Sequence, residues 1–521
     1  MDDELSTVPI SISSGYALHK DQTLCAELLA SVKAAAPLQI IRSKISGAGT
    51  GLSVTNNVDF GQELFRSRPV VNCVEDGYQH LVCDYCYVYK DSKLNSSGRI
   101  RTAEDTKLDV KACNACHACY YCSKTCQQKA WKLYHKLECA MFLKVPTISP
   151  RGRVLYRILN LHKQKLFSPD QWRSLRGLTS HTTEYLRSTI SGDVIGFATH
   201  AIENTKTSLS LKEVLAVYCS ILTNCLSIYQ ADGRMLGTSL DIVASLINHS
   251  CDPNTFVVFE GGELRVRPIR KISAGEEITQ CYTDIDMDVL IRRSVLKSEY
   301  FFHCCCARCK SQMQSHQKLF PERIKQVAQS QQQLLQITNE AVKERNVDIF
   351  ESQASTITTA AFPDGQWPED LAPWPSSRIR LASIHQAHGR RIEALKYALK
   401  GQLLLEHRSG DRWTRRLFSL VQYFRDFLMH QTICRDTDFP TEAQMKDVMY
   451  GYLHVLKTYA GKTFGEKTRY AQSILWYYDD YVNGGSAPER INRAFARRFN
   501  QAQAKLLVWA GVEQNRAIAL T

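Results

Sequence analysis

The order of hydrophobic and polar positions divides the chain into β-like and helix-like regions. Short apolar runs separated by glycines extend from Leu38 to Val74, and similar runs with Gly, Asp and Pro breaks return over residues 229–284. Such runs are typical of β-strands. Between Val145 and Ile228 the apolar residues recur mainly at helical spacing, as in LKEVLAVYCSILTNCL. The pattern therefore predicts one β-rich domain whose two parts are separated by a long insertion.

From about Gln312 onwards the pattern is helical, apart from the stretch FPDGQWPEDLAPWPSS, whose prolines are typical of a linker. In LASIHQAHGRRIEALKYAL the small residues Gly389 and Ala394 have tetratricopeptide-like spacing, which would let two antiparallel helices approach closely. A generic helical bundle is the alternative. Before Leu38 we expect a polar lead-in with one short helix, Thr23 to Ala35.

The first residues, MDDELSTVPI, lack the features of a secretory signal, and no stretch approaches the roughly 20 apolar residues of a membrane span. A hydrophobic fraction of 44% is that of an ordinary globular protein, and 521 residues allow about three or four domains. We therefore expect a protein of the nucleus and cytoplasm, without membrane association, whose 19 cysteines are thiols or metal ligands.

Eight potential zinc ligands lie between residues 83 and 139, with the spacing C-x2-C, then C-x2-C-x5-C-x3-C-x8-H-x3-C. Zinc prefers four soft ligands in a tetrahedron, so eight ligands suffice for two sites. Neither half of this cluster can close alone, because Cys83 and Cys86 need a second pair of ligands. Cross-braced pairing is therefore expected, while Cys119 falls outside the pattern. One zinc would bind Cys83, Cys86, Cys122 and Cys126, and the other Cys113, Cys116, His135 and Cys139.

A second cluster, Cys304, Cys306 and Cys309, is one ligand short of a structural zinc site. Cys305 is a poor fourth ligand because it points away from its neighbours. Cys251, in a turn stiffened by Pro253, is the natural candidate, and it would attach this C-terminal hook to the loop that carries Asn248 and His249. The alternative is an ordinary turn with a buried cysteine.

A net charge of +13 suggests nucleic acid as a partner. If eleven cysteines are thiolates of three zinc ions, however, the charge falls to about +8, and no long run of Lys and Arg is present. Nucleic-acid binding is therefore a secondary hypothesis, which predicts a steep salt dependence of DNA binding.

Three motifs in one order, SGAGTGL (46–52), NHSCDPN (248–254) and GEEITQCY (275–282), resemble those of SET-domain protein lysine methyltransferases. The cysteine cluster at 83–139 resembles a MYND finger, although the gap from Tyr87 to Ala112 is longer than usual in that family and is expected to be a solvated loop. Together with the helical tail, residues 38–521 resemble the SET-and-MYND family. The resemblance implies a protein substrate and, through the finger, proline-rich peptide partners.

The implied fold is a multidomain α+β protein, in which a β-rich SET domain carries an inserted MYND finger and a post-SET zinc hook, followed by an all-α, tetratricopeptide-like C-terminal domain. In SET domains two motif segments thread past one another as a pseudoknot, an exception among folds. The expected boundaries are a polar lead-in at 1–37, the first SET part at 38–82, the finger at 83–139, a helical insertion at 140–228, the catalytic SET core at 229–284, the post-SET region at 285–311 and the helical domain at 312–521.

The implied activity is methyl transfer from S-adenosylmethionine to a lysine amine, and we expect a monomer with three Zn²⁺ ions. By match to the motifs, the Tyr282 hydroxyl stands beside the methyl group, Tyr300 lines the lysine channel and Phe302 packs on the adenine. The positions that contact the cofactor in the family are matched here by Gly47, Gly49, Gly51, Asn224, Ser245, Leu246, Asn248, His249 and Tyr282.

Many relatives carry basic side chains in the glycine loop, where this chain has Ala48 and Thr50. This departure suggests weaker cofactor binding. It leaves open a non-catalytic adaptor that binds partner proteins through the finger and the helical tail, in which Tyr282 is only a core tyrosine. Calorimetry with S-adenosylmethionine would separate the two, since an adaptor need not bind it.

Overall fold

The computed structural model describes residues 17–89, 109–145, 148–231, 233–363, 365–405, 410–482 and 491–520. Most of the predicted loop at 87–112, and residues 1–16 of the lead-in, lie outside the described residues. The strands fall mainly in the two predicted β regions. They are β1 (Lys33–Ala34), β2 (Leu38–Arg42), β3 (Thr50–Val54), β4 (Phe65–Ser67), β5 (Val71–Val74), β6 (Lys111–Ala112), β7 (Tyr120–Tyr121), β8 (Leu226–Tyr229), β9 (Met235–Leu240), β10 (Asn248–His249), β11 (Thr255–Glu260), β12 (Glu263–Pro268) and β13 (Thr279–Gln280).

The first set of helices precedes or separates the strands: α1 (Gln22–Ser31), α2 (Lys124–Ala130), α3 (Lys136–Lys144), α4 (Pro150–Lys163), α5 (Pro169–Arg176), α6 (Thr182–Leu186), α7 (Ser191–Thr205) and α8 (Leu211–Asn224). The second set follows them: α9 (Val289–Tyr300), α10 (Ala307–Leu319), α11 (Ile324–Lys343), α12 (Asp348–Ala361), α13 (Trp374–Ala387), α14 (Arg391–Leu404), α15 (Gly410–Met429), α16 (Glu442–Phe464), α17 (Arg469–Tyr481) and α18 (Arg493–Ala510). No described helix has the length and apolarity that a membrane span requires.

The two β regions form shared sheets. One sheet has the order β1-β4-β12-β11 and another the order β5-β9-β8, so each combines strands from before and after the long insertion. Strand β5 pairs antiparallel with β9, with Val71 opposite Leu240. The 160 residues between β5 and β9 therefore leave and return to one sheet, as expected for a single domain with an insertion.

The NHSC and GEE motifs lie side by side through β10 and β13. These strands pair in parallel, with Asn248 opposite Thr279 and His249 opposite Gln280. The chain then continues from β13 directly into Cys281 and Tyr282. This pairing brings the loop after β10 and the loop after β13 to the same end of a two-stranded ladder, where the candidate site lies.

The region after residue 312 is helical, as predicted. Helices α13 and α14 form an antiparallel hairpin, and Ala394 and Ala398 are buried. A Cβ atom at Gly401 would lie 2.6 Å from the Ile379 side chain, so a small residue is needed at this contact as well. The proline-rich stretch is more than the linker that we predicted, because Trp367 is buried against Phe362 at a ring distance of 5.3 Å and α13 begins at Trp374.

Candidate functional site

The twelve predicted metal ligands form three groups in the structure. In each group the potential ligand atoms all lie within 4.8 Å of one another. The groups are Cys83, Cys86, Cys122 and Cys126; Cys113, Cys116, His135 and Cys139; and Cys251, Cys304, Cys306 and Cys309. These are the same sets that the spacing predicted. Cys119, His135 and Glu138 form a fourth group, which the spacing did not predict.

The sulfur separations fit zinc. In the first group Cys122 Sγ lies 3.6 Å from Cys86 Sγ and 3.5 Å from Cys126 Sγ, and in the second Cys113 Sγ lies 3.8 Å from Cys139 Sγ. Four thiolates at a Zn–S distance of about 2.3 Å would stand about 3.8 Å apart at the corners of a tetrahedron. The donor sets and their spacing therefore suit tetrahedral Zn²⁺.

A buried acid and base support the second group. His135 directs Nε2 towards Cys116 Sγ, at 3.6 Å, and its Nδ1 lies 3.6 Å from Glu138 Oε1. Glu138 in turn accepts two hydrogen bonds from Arg157, which also donates to the carbonyl of Asn72 in β5. A carboxylate behind a ligating histidine fixes the ring orientation. Neither Glu138 nor Arg157 was predicted from the sequence, because the groups that Arg157 joins, Glu138 and Asn72, are far apart along the chain.

The third group, the hook, joins the loop after β10 to the start of α10. Cys251 and Cys309 are fully buried, and Cys306 caps α10 by accepting a hydrogen bond from Cys309 N–H at 3.4 Å. Cys305 is exposed, in keeping with its exclusion as a ligand. Cys251 Sγ also lies 3.2 Å from Nε2 of His249. The hook therefore contacts the loop that carries the predicted cofactor residues.

An aromatic cluster surrounds the end of β13. The Tyr282 and Tyr300 rings are 5.0 Å apart, and the His249 ring lies 5.3 Å from Tyr282 and 5.6 Å from Phe302. The Tyr282 hydroxyl donates to the carbonyl of Ile247 at 2.8 Å. The predicted channel and adenine residues Tyr282, Tyr300 and Phe302 are thus brought together with the predicted cofactor residue His249. His249 precedes Cys251, and the other three lie between Cys251 and Cys304.

Burial controls the protonation of this cluster. It raises the pKa of Tyr282, with the neighbouring Tyr300 adding to the effect, and it raises the pKa of Tyr300 to about 12. Burial also lowers the pKa of His249 to about 4. At neutral pH the site therefore contains two protonated phenols and a neutral imidazole.

The glycine loop contacts the NHSC motif through a carboxylate. Asn248 Nδ2 donates to the carbonyl of Thr50 at 3.0 Å and to Glu277 Oε1 at 2.9 Å, and Lys44 N–H donates to Glu277 Oε2 at 2.8 Å. A Cβ atom at Gly51 would lie 2.5 Å from Glu277 Oε1, so any other residue here would have to displace that carboxylate. Glu277 was not predicted as a functional residue, although it is the second glutamate of the GEE motif.

The remaining predicted cofactor residues differ in their surroundings. Gly47 and Gly49 adopt φ values of 81° and 74° and have open space where a Cβ would stand. The Asn224 amide donates to the carbonyls of Thr179 and Ser220, at 2.7 and 2.8 Å. The Ser245 hydroxyl donates to the Asp241 carbonyl at 2.6 Å, and Leu246 is buried.

A cleft of about 630 Å³ opens beside Tyr282. It lies between the SET strands and α15, and its lining includes Leu226, Tyr229, Gln280, Tyr282, Tyr300 and Arg412. Arg412 in α15 pairs with Asp284 and, at 3.5 Å, with Asp286, both in the loop that follows Tyr282. The helical C-terminal region is thus one wall of the cleft and is attached to the loop beside the tyrosine pair.

Comparison with known proteins agrees with these features. Residues 80–283 match the SET domain family. The chain is 32% identical to the histone-lysine N-methyltransferase SMYD3 of Homo sapiens over 286 residues. This alignment covers 53% of this chain and 62% of that protein. It is 26% identical to the N-lysine methyltransferase SMYD2-B of Xenopus laevis over 52% of this chain and 61% of that protein. It is 25% identical to the SET domain and MYND-type zinc finger protein 6 of Schizosaccharomyces pombe, over 50% of each.

The chain thus spans less than two thirds of the length of these relatives. The matches confirm the predicted SET domain and the predicted resemblance to SET-and-MYND lysine methyltransferases.

Proposed function

We propose that this chain, which carries a SET domain and is similar to the SET-and-MYND protein lysine methyltransferases, methylates lysine side chains of protein substrates with S-adenosylmethionine. The observation that carries the proposal is the position of Tyr282. One side of its ring contacts His249 next to the predicted cofactor loop, and it also lines the cleft that a protein chain could enter. A methyl donor and a lysine could therefore meet beside one hydroxyl.

The predicted cofactor side fits S-adenosylmethionine. Gly47 and Gly49 present backbone without side chains, and Asn248 and Glu277 hold the glycine loop against β10. Phe302 offers an aromatic surface beside His249. When bound, the cofactor supplies an electrophilic methyl group on a sulfonium. Asn248, His249, Ser245, Leu246, Asn224 and the glycines Gly47, Gly49 and Gly51 are the residues we assign to this side.

The protein's own residues would prepare the amine. A lysine side chain has a pKa of about 10.4 and must lose its proton before it can attack. Entry between the Tyr282 and Tyr300 rings removes water, which favours the neutral amine. Because both phenols keep their protons at neutral pH, neither is a general base. The deprotonation is therefore driven by desolvation, and the proton leaves by way of the cleft.

The direction of one hydrogen bond gives Tyr282 its role. Its O–H proton is committed to the Ile247 carbonyl, so the lone pairs of the phenolic oxygen remain available. They can accept an N–H of the substrate amine and turn the nitrogen lone pair towards the methyl. Orientation of this kind is worth far more in rate than in binding.

The metal sites have structural roles in this proposal. We assign the two metal groups between Cys83 and Cys139 to a MYND finger inserted in the SET domain. The pairing of β5 with β9, which brings both ends of the insertion back to one sheet, supports this assignment. We further propose that the finger binds proline-rich peptides, that the helical region is tetratricopeptide-like, and that the protein acts in the nucleus and cytoplasm. The target lysines belong to histones or to other proteins.

Methyl transfer can be tested without a known substrate. Full-length protein is incubated with a proteome extract and S-adenosylmethionine labelled on its methyl group, and labelled lysines are identified by mass spectrometry. The proposal expects labelled methyl-lysine with the wild type and none after heat inactivation. If the protein binds S-adenosylmethionine in calorimetry but labels no lysine, or if it does not bind S-adenosylmethionine at all, the non-catalytic adaptor is the better account.

A further inference from the structure

An arginine occupies the centre of the apolar face of α9. Val289 and Leu296, about one turn to either side, are buried with Cys251 and Cys309 in one cluster. Arg292 lies between them and is 0% exposed, the largest of the fully buried side chains in the described chain. A buried guanidinium is unfavourable unless its charge and its N–H groups are satisfied. Its partners therefore indicate its purpose.

Those partners include two sulfurs of the hook. Arg292 Nε donates to Cys251 Sγ at 3.4 Å, and Nη2 lies 4.0 Å from Cys309 Sγ. The remaining N–H groups bond the carbonyl of Met287 and, at 2.5 Å, the Gln312 side chain. One planar side chain thus joins the loop after β10, the start of α9 and the first turns of α10.

The charge of the hook explains an arginine at this position. Four thiolates around one Zn²⁺ carry a net charge of about −2, and here they lie in an apolar, buried cluster. The guanidinium offsets part of that charge and donates directly to two of the sulfurs. Nε2 of His249 also lies 3.2 Å from Cys251 Sγ, and the Cys309 N–H donates to Cys306 Sγ. Arg292 adds to these contacts a permanently charged donor that reaches two of the sulfurs.

We infer that Arg292 is a positioning residue, the counter-charge that retains the metal of the hook and through it keeps the channel residues in place. The inference about the channel rests on the proposed function, whereas the inference about the metal does not. Tyr300 lies at the end of the helix that carries Arg292, and Phe302 lies two residues before Cys304. A loosened hook would release both rings, because one end of the segment 300–304 is a hook ligand and the other is the last residue of the helix that Arg292 attaches to the hook.

Arginine is required by geometry as well as by charge. Its fork presents N–H groups in fixed directions, so it can reach two sulfurs, a carbonyl and an amide at once, whereas the lysine ammonium is a compact point charge. Arg292→Lys therefore keeps the charge but loses part of the network, and Arg292→Met removes both at similar volume. Arg293, the next residue on the helix, is half-buried and provides the control, Arg293→Met.

The experiment measures zinc release from full-length, zinc-loaded protein to a chromogenic chelator. Arg292→Met should release one of the three zinc ions on the order of 10- to 100-fold faster than the wild type, the range typical for residues that support metal ligands. Arg292→Lys should fall between the two, while Arg293→Met should match the wild type. Release of the other two ions should not change. If Arg292→Met cannot be obtained folded, the comparison of Arg292→Lys with Arg293→Lys decides.

A spectroscopic readout separates this role from simple packing. In cobalt-substituted protein, loss of hydrogen bonds to two thiolates should shift the sulfur-to-cobalt charge-transfer bands of the hook, which a loss of packing elsewhere would leave in place. Wild-type release kinetics together with unshifted bands in Arg292→Met would overturn the inference. Faster release and shifted bands in a protein whose wild type binds no S-adenosylmethionine would support it and refute the proposed function.

Discussion

His249 accepts a hydrogen bond at Nδ1 from the backbone N–H of Tyr282, at 3.0 Å. Because Nδ1 accepts, the proton of this neutral ring is on Nε2, which faces Cys251 Sγ at 3.2 Å. The imidazole therefore connects a sulfur of the hook to the backbone of the proposed catalytic tyrosine. This relationship explains why NHSC places an imidazole two residues from a thiol, and it links metal content to the geometry of the active site.

Cys251→Ser tests that link. A serine oxygen is a poor, hard ligand for zinc, so the hook should lose its metal and the zinc content should fall from three to two. We expect S-adenosylmethionine binding to be lost with it, because Phe302 and His249 lose their support. Elemental analysis and calorimetry measure the two effects.

The matched control for this change is Cys219→Ser, at a cysteine that is equally buried but belongs to none of the metal groups. It should cost about 1–3 kcal/mol of stability, as for an ill-paired buried hydroxyl, and keep three zincs. If Cys251→Ser behaves like this control, Cys251 is only a buried cysteine of a turn.

Gly51→Ala tests the cofactor side of the site without adding or removing a charged group. The new methyl group would displace the Glu277 carboxylate from Asn248 and from the loop N–H of Lys44. Loss of one or two such hydrogen bonds, at about 1 kcal/mol each, should weaken S-adenosylmethionine binding by roughly tenfold. The control is Gly196→Ala, in α7, where nothing lies near the added Cβ. Unchanged affinity in Gly51→Ala would remove the glycine loop from the cofactor site.

Arg412→Gln tests the wall of the cleft. It removes the pair with Asp284 and Asp286 and so weakens the attachment of α15 to the loop beside Tyr282, where Arg416 still lies 3.9 Å from Asp286. The KM for a protein substrate should rise while the Kd for S-adenosylmethionine stays the same. Arg415→Gln is the control, since Arg415 also lines the cleft but pairs with Asp411 in its own helix. Equal effects of both substitutions would indicate a general loss of positive charge rather than a lost bridge.

The pH dependence of single-turnover methyl transfer follows from the tyrosines. Burial raises the pKa of both phenols, that of Tyr300 to about 12, so both stay protonated well above neutral pH. The rate should therefore rise with pH as the substrate amine loses its proton, without a falling limb below about pH 10. A falling limb near pH 9 that disappears in Tyr300→Phe would show that a phenol in the site ionises more readily than its burial implies.

Much of the site could be predicted from the sequence because its residues occur in short motifs. The spacing of Cys83, Cys86, Cys122 and Cys126 was enough to predict that they meet, since a tetrahedral site leaves few pairings. Glu277, Arg292 and Arg412 could not be found in this way. Their partners are distant in the chain, as with Lys44 and Glu277, and only the folded sheet and helices bring them together.

The fold shows the same division. The two β regions, the helical tail and the buried Ala394 of the α13–α14 hairpin followed from the sequence pattern. Gly389, predicted at the contact between the two helices, lies instead in the turn between them, with φ 72°. The proline-rich stretch did not, because prolines indicate a break in regular structure but do not reveal that Trp367 is buried. The parallel pairing of Asn248 with Thr279 also depends on strands too short to leave a periodic signal.

The central claim, that the Tyr282 hydroxyl orients a lysine amine, is tested most directly by Tyr282→Phe in the labelled methyl-transfer reaction. The substitution removes the hydroxyl that donates to the Ile247 carbonyl, on a residue that lines the cleft. We expect three zincs, nearly unchanged S-adenosylmethionine binding and a rate lower by roughly 100-fold or more, the loss seen when a transition-state hydrogen bond is deleted. A Tyr282→Phe variant that labels lysine at the wild-type rate would contradict this account of the site.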